Sequence, residues 1–478
     1  MSSVFTHCTI EGRVIFSRPL LICVSYYNPT SVRSEARALD EITVQQGVDL
    51  IIDSIEGARL ALICGAGLSM SAPSNIASAQ SLADIARARY EAAHGAARPP
   101  IPVDIEGQAR HFHAEGHLAD YYLRTLIGPH VFSAEPNSAH YAVADFLLTR
   151  AAALAVSTNV DQLIEFAGTR LRGHVEAAVD RERAAAAPGD TSVLLKLHGC
   201  WGIDHDHTLW CDDQLKDAPL DTRIPEAANW LENNLLDRDL VVVGYFTHWE
   251  HLTSILDTAL KAVKPARLII VDPAESNWLQ AKAPEFFALG DRAGQFCHVQ
   301  ENGDAFLDEL RKAFSRGYIR KVIYSGRDAF EHVYGNPPDA AWLEPARAEN
   351  KHLWRTRRDL EGCAPNDPSQ LKAPPNEPMI GLVILKFRSV GAIWTDSYLA
   401  FAGEIIRVFR GSGQFLHALE AMFDRVTPPL NPETIVAVGA VDLSLPANVA
   451  RAAGGASITR GSGRRWITGE TAEAEYGL

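Results

Sequence analysis

Three short stretches of this chain combine residue types that can do chemistry. Cys64-Gly65-Ala66-Gly67-Leu68-Ser69 puts two glycines and a hydroxyl where the chain must turn sharply. Such a loop lets the backbone approach a pyrophosphate, whose charge is met by N–H groups at the start of the next helix. The third glycine of the usual dinucleotide fingerprint is missing, so a plain strand-to-helix turn explains the loop equally well. Ser157-Thr158-Asn159-Val160-Asp161 supplies polar side chains for ligand contact, although Asn159 and Asp161 are also good helix caps. Lys196-Leu197-His198-Gly199 offers a histidine that can exchange protons with a hydroxyl or water near neutral pH, or simply shape a turn.

Each stretch ends a short apolar run. Arg59 to Cys64, Ala153 to Val156, Val193 to Leu197, Leu240 to Val243 and Leu268 to Val271 read as buried strands with helical stretches between them. That alternation predicts an α/β fold, Rossmann-like, with a parallel sheet covered by helices on both faces. In such sheets ligands bind beyond the C-terminal ends of the strands, where all three clusters sit. The segment from about residue 75 to 150 is far longer than one crossover needs and reads as a helical insert. Gln295 to Val299 is expected to add a strand and Ala305 to Phe314 a closing helix.

A Gly-Ala-Gly-x-Ser loop, an Asn-x-Asp strand end and a Leu-His-Gly strand end, in this order, resemble the sirtuin catalytic core. Pro136-Asn137 followed by His140, and Gly244-Tyr245 after a buried strand, are lesser matches. The resemblance covers roughly residues 59 to 314. It implies that Gly65, Ala66, Gly67, Ser69 and Gly244 bind the dinucleotide NAD+. It also implies that Asn159 and Asp161 contact the nicotinamide ribose region, that His198 is the general base, and that Asp272 meets the adenosine ribose. Sirtuins more often carry Asn at the last position, and an Asp before Pro273 can also shape a turn.

Two departures narrow the expectation. Protein deacylases of this family carry a four-cysteine zinc module after His-Gly, whereas only Cys200 and Cys211 lie nearby here, so neither zinc nor any other metal is expected. The usual continuation of the glycine loop is replaced by Met70-Ser71-Ala72-Pro73-Ser74-Asn75. Both features resemble the sirtuin-like effectors of bacterial anti-phage defence, which hydrolyse NAD+ to nicotinamide and ADP-ribose in abortive infection. That resemblance implies a homo-oligomer and a separate sensor or activator protein. A zinc-free deacylase, an ADP-ribosyltransferase and a non-catalytic NAD+ or ADP-ribose sensor are the alternatives.

The rest of the sequence sets bounds. A formal charge of −14 argues against direct duplex DNA binding. The apolar stretch Pro19 to Val24 is short, and no run approaches the ~20 residues a membrane helix needs, so a cytoplasmic protein is expected. Cys8, Cys23, Cys64, Cys200, Cys211, Cys297 and Cys363 never form Cys-x-x-Cys, as in a reducing compartment. His111, His113 and His117 read as pocket-lining or surface residues, and Arg316, Arg320 and Lys321 as solvated surface. The expected organisation is a leading extension over residues 1–58, a catalytic domain over 59–330, a Pro-rich linker over 331–378 and a smaller α/β domain over 379–478 for assembly or partner binding. In the last, Ile380 to Phe387 reads as a strand, Tyr398 to Asp424 as a helix and Thr434 to Gly439 as a strand; its Arg460, Arg464, Arg465 and Trp466 suit a nucleotide, a nucleic acid, an acidic protein face or plain surface.

Overall fold

The computed structural model describes residues 39–478 apart from 96–97, 172, 190, 246–254, 256–259, 346–351, 363–374, 396–397, 416–433 and 443–464. Pro19 to Val24, Cys8, Cys23, Cys363, Arg460 and Arg464 lie outside the described residues. Residues 38–478 form one compact unit.

An eight-stranded, wholly parallel sheet organises this unit. Its strands are β1 (Asp40–Glu41), β2 (Leu60–Cys64), β3 (Leu154–Ser157), β4 (Glu176–Ala178), β5 (Val193–Lys196), β6 (Asp239–Val243), β7 (Arg267–Val271) and β8 (Gln295–Val299). They lie in the order β1-β8-β7-β6-β2-β3-β5-β4. From β2 the chain moves outward through β3 on one side and later returns to its other side through β6. The switch point therefore falls between β2 and β6, where an open α/β sheet leaves a ligand crevice.

The helices are α1 (Val44–Glu56), α2 (Ala79–His94), α3 (Ile105–Ala114), α4 (Ser138–Leu148), α5 (Leu163–Arg170), α6 (Arg181–Ala186), α7 (Leu220–Leu235), α8 (Ser276–Lys282), α9 (Pro284–Gly290) and the long α10 (Gly303–Ser325). Thr43, Ser78, Asp104 and Asn137 cap α1 to α4 by accepting backbone N–H bonds, which fixes where each helix starts. Along β2, Leu60, Leu62 and Cys64 face a core with α1, α4 and α10, whereas Ala61 and Ile63 face a second core with α7 and α9. That two-sided burial explains the uninterrupted apolar strands. Helices α2 and α3 and a π-helix, Leu118–Ile127, pack around Tyr90, Phe112 and Tyr122 in a core of their own, which Val160 and Trp210 join.

Beyond α10 the chain adds α11 (Arg327–Tyr334), α12 (Leu353–Leu360), α13 (Pro378–Ser389) and α14 (Gly469–Tyr476). A second sheet has the order β13-β12-β11-β10-β9, from β9 (Ile393–Trp394), β10 (Leu399–Phe401), β11 (Glu404–Phe415), β12 (Thr434–Asp442) and β13 (Arg465–Thr468). Two expectations for this region are corrected. Ile380 to Phe387 is helical: an apolar run buried on all sides suits either a strand or a helix, and here Pro378 opens a helix packed against α10. Over residues 398–415 the helix expected from Tyr398 to Asp424 is instead a hairpin of β10 and β11, with Ala402 at φ 52° and Gly403 at φ 83° making its two-residue turn, and residues 416–424 lie outside the described residues. The helix expected at Ala305 to Phe314 is part of α10, whose Phe306, Leu307 and Leu310 enter the first core while Ile319, Val322 and Ile323 enter that of the second sheet.

Candidate functional site

The glycine loop and the turn after β6 are built around each other. Gly67 donates its N–H to the Gly244 carbonyl at 2.8 Å, and a Cβ on Gly67 would lie 2.8 Å from the Gly244 Cα. Gly244 has φ +62°, and a Cβ on it would lie 2.7 Å from the Leu68 nitrogen. Side chains at either glycine would push the two strand ends apart. A single 3-10 turn, Ala66–Ser69, follows the first glycine rather than an α-helix, and Gly67 uses its N–H within the fold. The loop therefore offers close backbone approach, and the expected α-helical N-terminus is not directly behind it.

Ser69 is the centre of a buried polar cluster. Its hydroxyl donates to Asp161 Oδ2 at 2.9 Å and receives the Asn159 amide at 3.1 Å. His140 Nε2 lies 3.1 Å from the same oxygen. The Asn137 N–H donates to His140 Nδ1, so Nε2 carries the ring proton and donates to Ser69. The hydroxyl thus gives one bond and accepts two, its full capacity. Burial holds the His140 pKa down at about 4, helped by the Lys196 charge and opposed by Asp161, which keeps this tautomer neutral. Asp161 also receives the Leu163 N–H on Oδ1 at 3.0 Å, so it meets the first N–H of α5 and holds Ser69 at once. Asn159 Oδ1, by contrast, is buried and has no donor among the described residues.

Lys196 lies beneath this cluster, 1% exposed, with its ammonium donating to the Asp161 carbonyl and to Glu165 at 3.3 Å. Burial alone would lower its pKa; Glu165 and Asp161 outweigh that and raise it, so the amine stays charged. His198 is buried two residues on, its carbonyl taking the Leu209 N–H at 2.9 Å. Asp204 accepts the Cys200 N–H at 2.6 Å and pairs with Arg223, fixing the turn that follows His198-Gly199. At the end of β7, half-buried Asp272 accepts the Ala274 N–H at 2.8 Å, and burial raises its pKa. It shapes a turn and faces the crevice together.

These residues share one cavity of about 860 Å³, at the upper end of the ~300–1,000 Å³ usual for small-molecule sites. Ala66, Gly67, Ser69, Asn159, Asp161, His198, Gly244 and Asp272 all line it, and Gly65 lies beneath the Gly244 turn. Asp104, Glu106, Asp161, Asp272 and Asp304 give the described lining five carboxylates, with no lysine or arginine among them. His111, His113 and His117 do not line it; His113 instead meets Asp217 at 2.6 Å. Cys200 and Cys211 are buried, and among the described residues no group of three or more His, Cys, Asp or Glu is placed to hold a metal ion.

Residues 153–288 match a SIR2-like domain. The SIR2-like segment contains Asn159, Asp161, His198, Gly244 and Asp272; the glycine loop precedes it. Among solved structures, a Sir2 homologue in complex with NAD is 19% identical, with 58% of this chain and 98% of that chain covered and a TM-score of 0.32. A Sir2 complex with p53 peptide and NAD+ is 16% identical, with 57% and 98% covered and a TM-score of 0.31. Among curated proteins none matches the sequence.

The sequence assigned no role to Asn137, His140, Lys196, Phe132 and Trp210, which hold or line the site. Asn137 also ties the glycine loop down, its amide donating to the Leu68 carbonyl at 2.8 Å. The spacing of Asn137 and His140 is that of a capping box and was a readable signal. Lys196 was another, as a charge inside an otherwise apolar strand. Trp210 and Phe132, whose rings lie 6.2 Å apart and line the cavity, carry no local pattern that marks them.

Proposed function

We propose that this chain hydrolyses NAD+ to nicotinamide and ADP-ribose. The observation that carries the reading is the buried Asn159 Oδ1, which has no donor among the described residues and shares a dinucleotide-sized cavity with His198. An unpaired buried acceptor costs ~1–3 kcal/mol unless a ligand supplies a donor, and a ribose hydroxyl or a water supplies one.

In the reaction the C–N bond between ribose and nicotinamide breaks, and nicotinamide leaves with the bonding electrons. The ribose becomes oxocarbenium-like, and water adds to it and loses a proton. Asn159 orients the ribose or the water. His198 accepts the proton from the ribose hydroxyl or that water. Asp161 and the other lining carboxylates favour the positive charge that develops on the sugar. Gly65, Ala66 and Gly67 admit the pyrophosphate by close backbone approach, and Asp272 receives the adenosine ribose.

Such an activity suits an NAD+-depleting effector in phage-infected cells, held in check by homo-oligomer formation or a separate sensor protein. The test is nicotinamide release by the full-length protein, alone and with lysate from phage-infected cells. His198→Ala and Asn159→Ala are each expected to lower kcat by about 100-fold or more, the usual scale for a lost general base. Full activity in both variants would refute the assignment, and transfer of ADP-ribose or loss of an acyl group from protein would point to the alternatives.

A further inference from the structure

Three consecutive residues of α12 reach three different parts of the molecule. Arg357 donates to Asp145 of α4 at 2.5 Å and to both oxygens of Glu361 at 2.9 Å. Arg358 donates to the Leu171 carbonyl, at the C-terminal end of α5. Asp359 receives two bonds from Arg407 of β11, at 2.6 and 2.5 Å. Successive residues of a helix point ~100° apart, so three in a row can grip three different neighbours. All six of these charged residues are buried, with Arg357 and Asp145 at 0% exposure. Arg311 of α10 joins the same Asp145 oxygen at 2.7 Å and stacks over Trp354 at 4.4 Å. Burial would raise the Asp145 pKa, but Arg357 and Arg311 hold it well below the usual carboxylate range.

The gripped helices are the two that carry the polar cluster of the cavity. His140 sits on α4 five residues before Asp145, about 7.5 Å along the helix axis. Asp161 accepts the N–H of Leu163, the first residue of α5, and Leu171 follows its end. We propose that Arg357, Arg358 and Asp359 are positioning residues for the cavity, setting α4 and α5 against each other so that His140 and Asp161 meet on Ser69, with the second sheet as their anchor through Arg407. A shift of β11 is then transmitted through one rigid turn of helix to the ring that presents Ser69 and to the strand end that presents Asn159. This role goes beyond the chemistry of NAD+ cleavage, and its catalytic readout rests on that reading.

Removing only one of a buried pair leaves a lone charge and can unfold the protein. The informative variant of the full-length chain is therefore the double one, Asp359→Asn with Arg407→Met, compared with wild type by hydrogen exchange and by nicotinamide release. We expect exchange to quicken by about tenfold in residues 137–148 and 161–171, far from the substitutions, while residues 79–132 keep their protection. We also expect kcat to fall by about tenfold with KM within about threefold, since geometry is lost and the binding walls are not. Faster exchange confined to residues 353–362 and 404–411, or a kcat per folded molecule equal to wild type, would overturn the proposal. A wild type that releases no nicotinamide, while exchange still spreads to 137–148 and 161–171, would refute the NAD+ reading and support the clamp.

Discussion

At the scale of single residues, the site separates groups that act on a ligand from groups that hold them. Ser69 spends its whole hydrogen-bonding capacity on Asp161, Asn159 and His140, so it orders the others. The His140 pKa of about 4 lies below the 6.5 of the free side chain. Between those values the unfolded chain binds the proton more readily, so stability present above pH 6.5 is lost as pH falls towards 4, by roughly 3 kcal/mol over the window. Urea midpoints should therefore drop between pH 7 and pH 5, and the drop should shrink in His140→Gln; an equal drop in both would show that another group carries it. Asp272 bears on specificity. On the proposed reading Asp272 meets the adenosine ribose, and a carboxylate there, in a lining without lysine or arginine among the described residues, should repel the 2′-phosphate of NADP+. Asp272→Ser is expected to cut the preference for NAD+ over NADP+ by about tenfold in kcat/KM, the scale of one charge contact. Asn159, Asp161 and His198 were legible because polar residues ending apolar strands stand out in sequence. His140 and Lys196 were not given roles, because their work depends on partners distant in the chain: Ser69 for one, Glu165 and the Asp161 carbonyl for the other.

At the scale of elements, six of the eight parallel strands were readable to within a residue or so, because burial on both faces leaves mostly apolar side chains; the short edge strands β1 and β4, which carry Asp40, Glu41 and Glu176, had no such run and were not. The same rule misled at residues 380–387. That run is just as apolar, yet it winds into α13 because Gly381 lets the helix cross the end of α10 at Gly326. A Cβ on Gly381 would lie 2.6 Å from the Gly326 nitrogen, backbone against backbone, with no flexible side chain to yield. Gly381→Ala should therefore cost about 1–3 kcal/mol, the usual penalty of overpacking, seen as a lowered urea midpoint; a neutral substitution would mean that the crossing relaxes freely. The misread helix from Tyr398 has a different cause. Its apolar spacing fits a helix until Ala402-Gly403 is recognised as a hairpin turn, and a two-residue signal is easily outweighed by a long periodic one.

At the scale of the whole molecule, α10 belongs to two cores, with Phe306 and Leu310 in one and Ile319 and Val322 in the other. A chain ending at residue 378 would leave Ile319, Val322 and Ile323 without their cover from α13 and the second sheet, and Asp359 without Arg407. Deleting residues 379–478 is expected to give aggregated protein or a lowered thermal midpoint, and not a stable catalytic fragment; a monodisperse, fully active fragment would contradict this. The cavity draws on the ends of β2, β3, β5, β6 and β7 and on the start of α10, from Ala66 to Asp304. A chain emerging from the ribosome has no complete pocket until that last segment is out, and the anchor at Arg407 follows about a hundred residues later, several seconds at ~5–20 residues per second. On the proposed reading, cleavage of NAD+ therefore waits until both the pocket and its anchor have left the ribosome.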